Sequence, residues 1–433
     1  MKSFMKLKKT DQIDIKKEAL AGITTFFTMA YIIVVNPAIL ATPGTGMEFN
    51  GVLTATVLLA FSMTLFMGLY AKLPYGVAPG MGINAFFTYS VVLGKNVPWQ
   101  TALGAVFWSG VLFVLISATP LREGIAKAIP PNLRTAAAAG IGLFLTFIGF
   151  KNAGIVASDS ETFVRFGGLS FSLLVCMAGI ALALFLMTRK SPLAFLAGIG
   201  GSTILAWFCG DVKVPQDLFA WPDFSTVFMK LDLWGSLKLA MLPTILSFFA
   251  TDLFDSISTF VGVSQATGLT DDQGNPKNLK QGLIVDSFAT AFAGAFGTSS
   301  GTAYIESAAG IEMGGRTGLT AVFTALCFLP CFFIAPIAGM VPAYATASVL
   351  ILVGALMFRS ITKIRFERLE DLVPSFLTIV MIPLTFSITQ GILWGFILHV
   401  TAYTLAGRSR EIKAQMWVIA VFAIGLLVLD HFS

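Results

Sequence analysis

Five carboxylic acids, Asp252, Asp255, Asp286, Glu306 and Glu312, stand inside stretches of this chain that are otherwise apolar, and no Lys or Arg lies in the same stretches to neutralise them. An ionisable group in such surroundings costs about 2.5–3.5 kcal/mol on insertion scales, so each is a functional candidate by default. At the helical step, Asp252, Asp255, Ser256 and Thr259 project within about 100° of one another and form one polar stripe. Carboxyl groups withdrawn from water and set beside other acids hold their protons to higher pH, which is the property a proton-coupled carrier requires. Asp252 is the first candidate for that role and Asp255 the second. Glu306 falls in the first turn of a short helix, where the helix dipole attracts negative charge, and it is suited to accept N–H donors from a ligand. Asn84 offers a donor and an acceptor. A carboxylate and a carboxamide facing each other can read the hydrogen-bonding edge of a flat heterocycle. Phe26, Phe27, Phe86, Phe248 and Phe249 are candidates to stack on its faces, and Thr302 adds a hydroxyl to the same candidate site. Glu312 is expected to form an end-cap ion pair with Arg316. Asp286 divides between an interhelical hydrogen bond and a coupling role, and His399 is a lone histidine in an apolar span.

The elements that must position these groups are two broken apolar segments. The first reads Pro74-Tyr75-Gly76-Val77-Ala78-Pro79-Gly80-Met81-Gly82-Ile83-Asn84-Ala85-Phe86-Phe87, and the second Phe296-Gly297-Thr298-Ser299-Ser300-Gly301-Thr302-Ala303-Tyr304-Ile305-Glu306-Ser307-Ala308-Ala309. Asn84 plus 222 is Glu306, and Pro79-Gly80 falls on Gly301-Thr302. Proline removes a helical bond and glycine loses entropy, so neither segment is one continuous helix. Short extended stretches at 76–79 and 298–301, each followed by a half-helix, fit the pattern. In hydrocarbon, such backbone is tolerated only where protein buries it or it lines a cavity. Interrupted spans at matching positions of two halves point to a transporter's binding site, here between residues 80 and 90 and between 302 and 310.

Charged residues make up 12% of the 433, with 56% hydrophobic and a mean hydropathy of +0.83. A soluble domain carries about 25% charged residues, so an ordinary globular enzyme is excluded. Fourteen stretches are apolar and long enough to be read as membrane segments: 19–39, 51–70, 74–93, 99–119, 135–150, 169–188, 191–209, 239–264, 281–296, 298–314, 317–340, 345–360, 372–388 and 390–406. A further apolar stretch at 414–430 is a fifteenth span, a re-entrant helix or an interfacial one. The 222-residue offset also carries Ile23–Ala30 onto Ile245–Asp252, and it drifts to 216 where Leu103–Phe107 meets Leu319–Phe323. Seven spans repeated give fourteen, and because seven is odd the second copy enters the membrane in the opposite sense. The fold class is an all-α polytopic membrane protein with a 7+7 inverted repeat and two broken helices.

The net charge of +5 gathers before the first span (Lys2, Lys6, Lys8, Lys9, Lys16, Lys17) and on loops of one side (Arg122, Lys127, Arg134, Arg189, Lys190, Lys277, Lys280, Arg359, Lys363, Arg365, Arg368). The positive-inside rule places that side and the N-terminus in the cytoplasm. These bases are topology determinants rather than nucleic-acid contacts, and the first 18 residues lack the apolar core of a signal peptide. Cys176, Cys209, Cys327 and Cys331 form no Cys-x-x-Cys pair and are expected to be packed free thiols. The two histidines, His399 and His431, are too isolated for a metal centre. The loop from Thr270 to Pro276 lacks the spaced acids of a calcium loop, and no phosphate-binding Gly-x-x-x-x-Gly-Lys occurs.

The motifs Thr24–Ile32, Ala78–Phe87, Asp252-Leu253-Phe254-Asp255-Ser256 and Gly297–Gly310, running on to Gly318, resemble the AzgA-like branch of adenine, guanine and hypoxanthine permeases within the xanthine/uracil permease superfamily. The resemblance covers the chain to about residue 407. It implies a cytoplasmic tail (1–18), a core domain in two parts (19–119 and 239–340), a gate domain in two parts (120–238 and 341–407), and a C-terminal apolar segment (408–433). It further implies that Asp252 and Glu306 serve substrate binding and proton coupling, with Asn84 in the same site. The function expected is proton-coupled uptake of a purine nucleobase across the cytoplasmic membrane. No cofactor is expected beyond the proton as coupling ion, and the partners expected are the base, the proton and the bilayer, not nucleic acid. Alternatives on the same fold are a uracil or xanthine symporter and an anion transporter, which Glu306 at a half-helix head disfavours. Asp, Ser and Thr oxygens around an unwound backbone are also ligands for sodium, so proton and sodium coupling stay open. Oligomeric state is not legible, and a homodimer is compatible with the chain.

Overall fold

A computed structural model describes residues 14–119, 129–270 and 276–432. All fourteen expected segments appear. Among the described residues, eight helices are long and apolar enough to cross a membrane, and four shorter apolar ones accompany them. The first segment is α1 (Ile15–Met29) and α2 (Ile32–Leu40), divided by a turn at Ala30-Tyr31. Then follow α3 (Phe49–Phe66), β1 (Val77–Pro79), the half-helix α4 (Met81–Ala85), which widens into π turns over Phe86–Val92, and α5 (Trp99–Ala118). Next come α6 (Pro131–Asn152), a hairpin of β2 (Val156–Asp159) and β3 (Phe163–Phe166), α7 (Phe171–Thr188) and α8 (Ala194–Phe208). The second copy runs α9 (Leu242–Thr267), α10 (Leu279–Phe296), β4 (Gly301–Ala303), the half-helix α11 (Ser307–Glu312), α12 (Gly318–Phe328), α13 (Ala335–Gly339), α14 (Ala343–Phe358), α15 (Leu369–Thr385) and α16 (Ile388–Leu405).

Two packing groups result. Helix α1 packs on α11 and α12, α5 on α9 and α10, and α3 on α12, so the first and third quarters of the chain interleave. Helix α6 packs on α14, α15 and α16, and α7 on α8 and α14. Close approach is built into the first group: a Cβ on Gly310 of α11 would stand 2.1 Å from Thr25 Oγ1 and 2.5 Å from the Ala21 carbonyl of α1. Small residues at such crossings let backbones meet where no hydrophobic force drives helices together.

The broken segments meet as an antiparallel pair, with Val77 opposite Ala303, Ala78 opposite Thr302 and Pro79 opposite Gly301. Pro79 and Gly301 are themselves repeat mates, so the pseudo-two-fold axis passes through that pair. The second strand therefore lies at 301–303, not at the expected 298–301. Gly297 ends α10 at φ +96°, the left-handed region glycine tolerates, and Thr298 N still bonds the Ala293 carbonyl at 2.9 Å. Those residues belong to the helix cap, and pairing begins only after it. Gly80 N to Ser300 O (2.8 Å) and Tyr304 N to Gly76 O (2.9 Å) close the ends of the ladder. Satisfying backbone groups inside the protein is what makes an extended stretch admissible at this depth.

Other expectations need correction. Helix α1 begins at Ile15, with Asp14 accepting from Lys16 N (3.1 Å) and Lys17 N (3.3 Å), so the last residues of the expected tail are helical. Glu18 is buried and caps α12, accepting from Arg316 N (3.1 Å), Thr317 N (3.4 Å), Thr320 N (3.2 Å) and the Thr320 hydroxyl. Glu312 makes no ion pair with Arg316 among the described residues. It is exposed, and the Arg316 guanidinium donates to the Thr267 carbonyl at 2.8 Å, ending α9 instead. Arg134, expected on a loop, lies in the first turn of α6 with Nε buried, lining a small cavity with Phe254 and Phe396. Cys176 and Cys331 are buried free thiols, but Cys209 is exposed at the end of α8, past its last packed turn. Residues 414–430 form α17 (Ala414–Phe432), which lays Met416, Ala420, Ala423 and Leu426 inward against neighbours that include α16 and α9. The basic tail, Arg122, Lys127 and most of the 270–276 loop lie outside the described residues.

Candidate functional site

The polar stripe of α9 faces the strand pair. Asp252 and Ser256 are fully enclosed and Thr259 nearly so, while Asp255, one turn further on, is partly open. Thr290 of α10 is the hub beneath them. Its hydroxyl bonds Asp252 Oδ2, lies 2.8 Å from Ser300 Oγ, and is 3.1 Å from the Gly301 carbonyl. Asp286, on the same helix one turn earlier, accepts from Thr302 Oγ1 at 3.4 Å, and Thr302 in turn meets Ser256 Oγ at 3.4 Å. The Asp286 bond ties α10 to strand β4 rather than to another helix. Asp252 and Asp286 each keep a second oxygen, Oδ1, without a hydrogen-bond partner among the described residues. No salt bridge reaches Asp252, Asp255, Asp286 or Glu306 among those residues. Four acids therefore share one region with no compensating cation.

Glu306 is the N-cap residue of α11, just ahead of its first turn rather than within it, whereas its repeat mate Asn84 stands inside α4. Its side chain is partly open, unlike Asp252. The Tyr31 hydroxyl donates to Glu306 Oε1 at 2.6 Å, and Thr28 Oγ1 lies 3.3 Å from the Glu306 carbonyl. Thr28 lies in the last turn of α1, and Tyr31 in the break that follows it. Tyr31 is wholly buried, and its ring meets Phe195 of α8 edge-on at 5.1 Å. Tyr304, between β4 and α11, sends its hydroxyl to the Pro79 carbonyl at 2.5 Å and fixes the turn.

Asn84 does not face Glu306 through a hydrogen bond. It is fully enclosed and its Oδ1 accepts from the Ser299 hydroxyl, while Nδ2 has no partner among the described residues. The aromatic candidates separate. Phe27 is partly buried with its ring 5.4 Å from Phe26. Phe249 turns away to Phe113 of α5 at 6.1 Å, and Phe248 packs between Phe86 (5.0 Å) and Phe87 (6.4 Å). Asp252, Asp255, Thr302 and Glu306 are thus gathered on one side of the strand pair, whereas Asn84 and Phe249 are held by other neighbours. Sequence reasoning missed Tyr31, Thr290, Ser299 and Ser300. The signal for Tyr31 was present, since it is a phenol at a helix break beside the repeat mate of Asp252, but its partner lies 275 positions away.

The arrangement offers one partly open carboxylate as a hydrogen-bond acceptor, with enclosed acids nearby. The sequence matches the model of the Permease family over residues 16–394. It is 41% identical to adenine permease AdeP of Escherichia coli (strain K12), over 96% of this chain and 93% of that one. It is 38% identical to guanine/hypoxanthine permease PbuO of Bacillus subtilis (strain 168), over 97% and 99%. Among solved structures, the transmembrane domain of the cyanobacterium bicarbonate transporter BicA superposes with a TM-score of 0.65 at 17% identity, covering 88% of this chain and 98% of that one. That likeness speaks for the fold alone.

Proposed function

We propose, from the premise that this chain belongs to the Permease family and is a multi-pass membrane transport protein, that its cargo is a purine nucleobase. Adenine, guanine or hypoxanthine is taken up in symport with a proton across the cytoplasmic membrane, with the N-terminus inside. The observation that carries this reading is Glu306: a partly open carboxylate at a half-helix head, with no cation paired to it among the described residues, is an acceptor for ligand N–H groups. The names of the curated relatives, adenine and guanine/hypoxanthine permeases, favour purines over uracil. An anion at the same place meets Glu306 and three further acids without a compensating base, so the anion reading is disfavoured.

In this proposal residues 19–119 and 239–340 form a core that carries the base, and residues 120–238 and 341–407 form a gate against which the core moves. The two packing groups described above are consistent with that division. Glu306 and Thr302 face the ligand, Phe27 borders it, and Asn84 and Phe249 support the walls. Asp252 is the chief proton carrier, with Asp255 second. Loss of its charge lowers the cost of moving the site past apolar surface.

Uptake of radiolabelled adenine, guanine, hypoxanthine and uracil by cells making the protein, with and without a protonophore, tests the reading. Purine uptake that collapses with the protonophore and survives replacement of sodium by choline is the expected result. Uptake of uracil alone, dependence on sodium, or indifference to the protonophore overturns it in the corresponding part.

A further inference from the structure

We propose that Tyr31 decides which edge of a purine Glu306 accepts, an inference that rests on Glu306 being the acceptor of the base. A carboxylate has two oxygens and matches two adjacent N–H donors when both are free. Here the Tyr31 hydroxyl sits 2.6 Å from Oε1. That hydroxyl is held in place: Tyr31 has no exposed surface, it lies in the turn between α1 and α2, and its ring abuts Phe195 at 5.1 Å with the planes 63° apart. Thr28, in the last turn of α1, places its hydroxyl 3.3 Å from the Glu306 carbonyl, although its nearest acceptor is the Thr25 carbonyl at 2.8 Å. Oε2 is then the oxygen left for an in-plane ligand donor.

The chemical class follows from the edges of the purines. Guanine presents its ring N1–H and 2-amino group side by side and fits a carboxylate with both oxygens free. Hypoxanthine is the same ring system without the 2-amino group, and adenine offers a 6-amino N–H beside a lone pair. With one lone pair of Oε1 engaged by Tyr31, Glu306 rewards the donor at Oε2 most and gains less from the second N–H of guanine than a free carboxylate would. The site therefore selects 6-oxo and 6-amino purines with little regard to a 2-amino group, and Tyr31 is the positioning residue that makes it so.

Competition of unlabelled guanine, hypoxanthine and adenine against radiolabelled hypoxanthine, in membranes containing wild-type protein or Tyr31→Phe, tests this. In the wild type, guanine and hypoxanthine compete within about threefold of each other. Tyr31→Phe keeps the ring against Phe195 and removes only the donor. Guanine then gains about tenfold relative to hypoxanthine, the worth of one added charge-assisted hydrogen bond. The gain disappears when Glu306→Gln is added, because the effect acts through that carboxylate. An unchanged guanine-to-hypoxanthine ratio in Tyr31→Phe overturns the inference, as does a wild type that already favours guanine tenfold. The wild-type ratio decides alone should the variant not reach the membrane. Absence of any purine uptake by the wild type sinks the transport reading instead, which separates the two failures.

Discussion

Asn84 and Glu306 occupy equivalent steps of the two repeats, 222 positions apart, yet Asn84 is sealed onto Ser299 while Glu306 opens beside Tyr31. The inverted repeat supplies two half-helices of the same origin, and only the second carries its polar group to an accessible face. In the proposed function, one half of the pair is scaffold and the other is contact.

Glu306→Gln keeps the size of the side chain and replaces one acceptor oxygen by a donor amide. A charge-assisted hydrogen bond contributes about 1.5–3 kcal/mol, so purine affinity falls roughly tenfold to a hundredfold. Competition binding to purified protein measures this. Unchanged affinity for every purine removes Glu306 from the ligand contact.

Asn84→Ala leaves the enclosed Ser299 hydroxyl without its acceptor, at a cost of about 1–3 kcal/mol. The expected outcome is a lower thermal midpoint together with weaker purine binding. In a double-mutant cycle with Ser299→Ala, the coupling is about 0.5–3 kcal/mol. Strict additivity shows that the two side chains do not act as a unit.

The division between what was legible and what was not follows the range of each interaction. The repeat, the broken segments and the Asp252–Asp255 stripe were written in local spacing, and the structure places them as that spacing requires. The strand register was not, because the cap at Gly297 shifts the start of pairing to Gly301. Glu18 and Tyr31 were missed for a different reason: their partners stand 298 to 302 and 275 positions away. Which helix lies beside which is decided by packing at positions such as Gly310, where single-residue clearances matter more than composition.

Asp252→Asn retains an oxygen for the Thr290 hydroxyl and mimics the protonated acid. Exchange of purine across the membrane persists, but concentrative uptake is lost. With the membrane potential clamped at zero, a wild-type carrier moving one proton per base accumulates at most about tenfold per pH unit of acid-outside gradient, and Asp252→Asn equilibrates at about onefold. Accumulation by Asp252→Asn together with its loss in Asp255→Asn reverses the two roles.

Glu18→Gln weakens the cap on α12 without touching the candidate site. Three backbone N–H groups and the Thr320 hydroxyl lose a charged acceptor. A lower thermal midpoint, equivalent to about 1–3 kcal/mol, with an unchanged KM for purine, is expected. A changed KM with unaltered stability places Glu18 in transport rather than in the scaffold.

Pairing of β1 with β4 also sets an order of events in biosynthesis. Val77 and Ala303 are 226 positions apart, and at roughly 5–20 residues per second the ribosome takes about 10 to 45 s to cover that distance. Through that interval the backbone of 77–79 has no strand to satisfy it, and hydrocarbon supplies no water in its place. The first broken segment therefore waits, at the translocon or at the membrane surface, until the second emerges. A nascent chain halted before Gly301 holds long helices that are free to insert and a segment around Pro79 that is not.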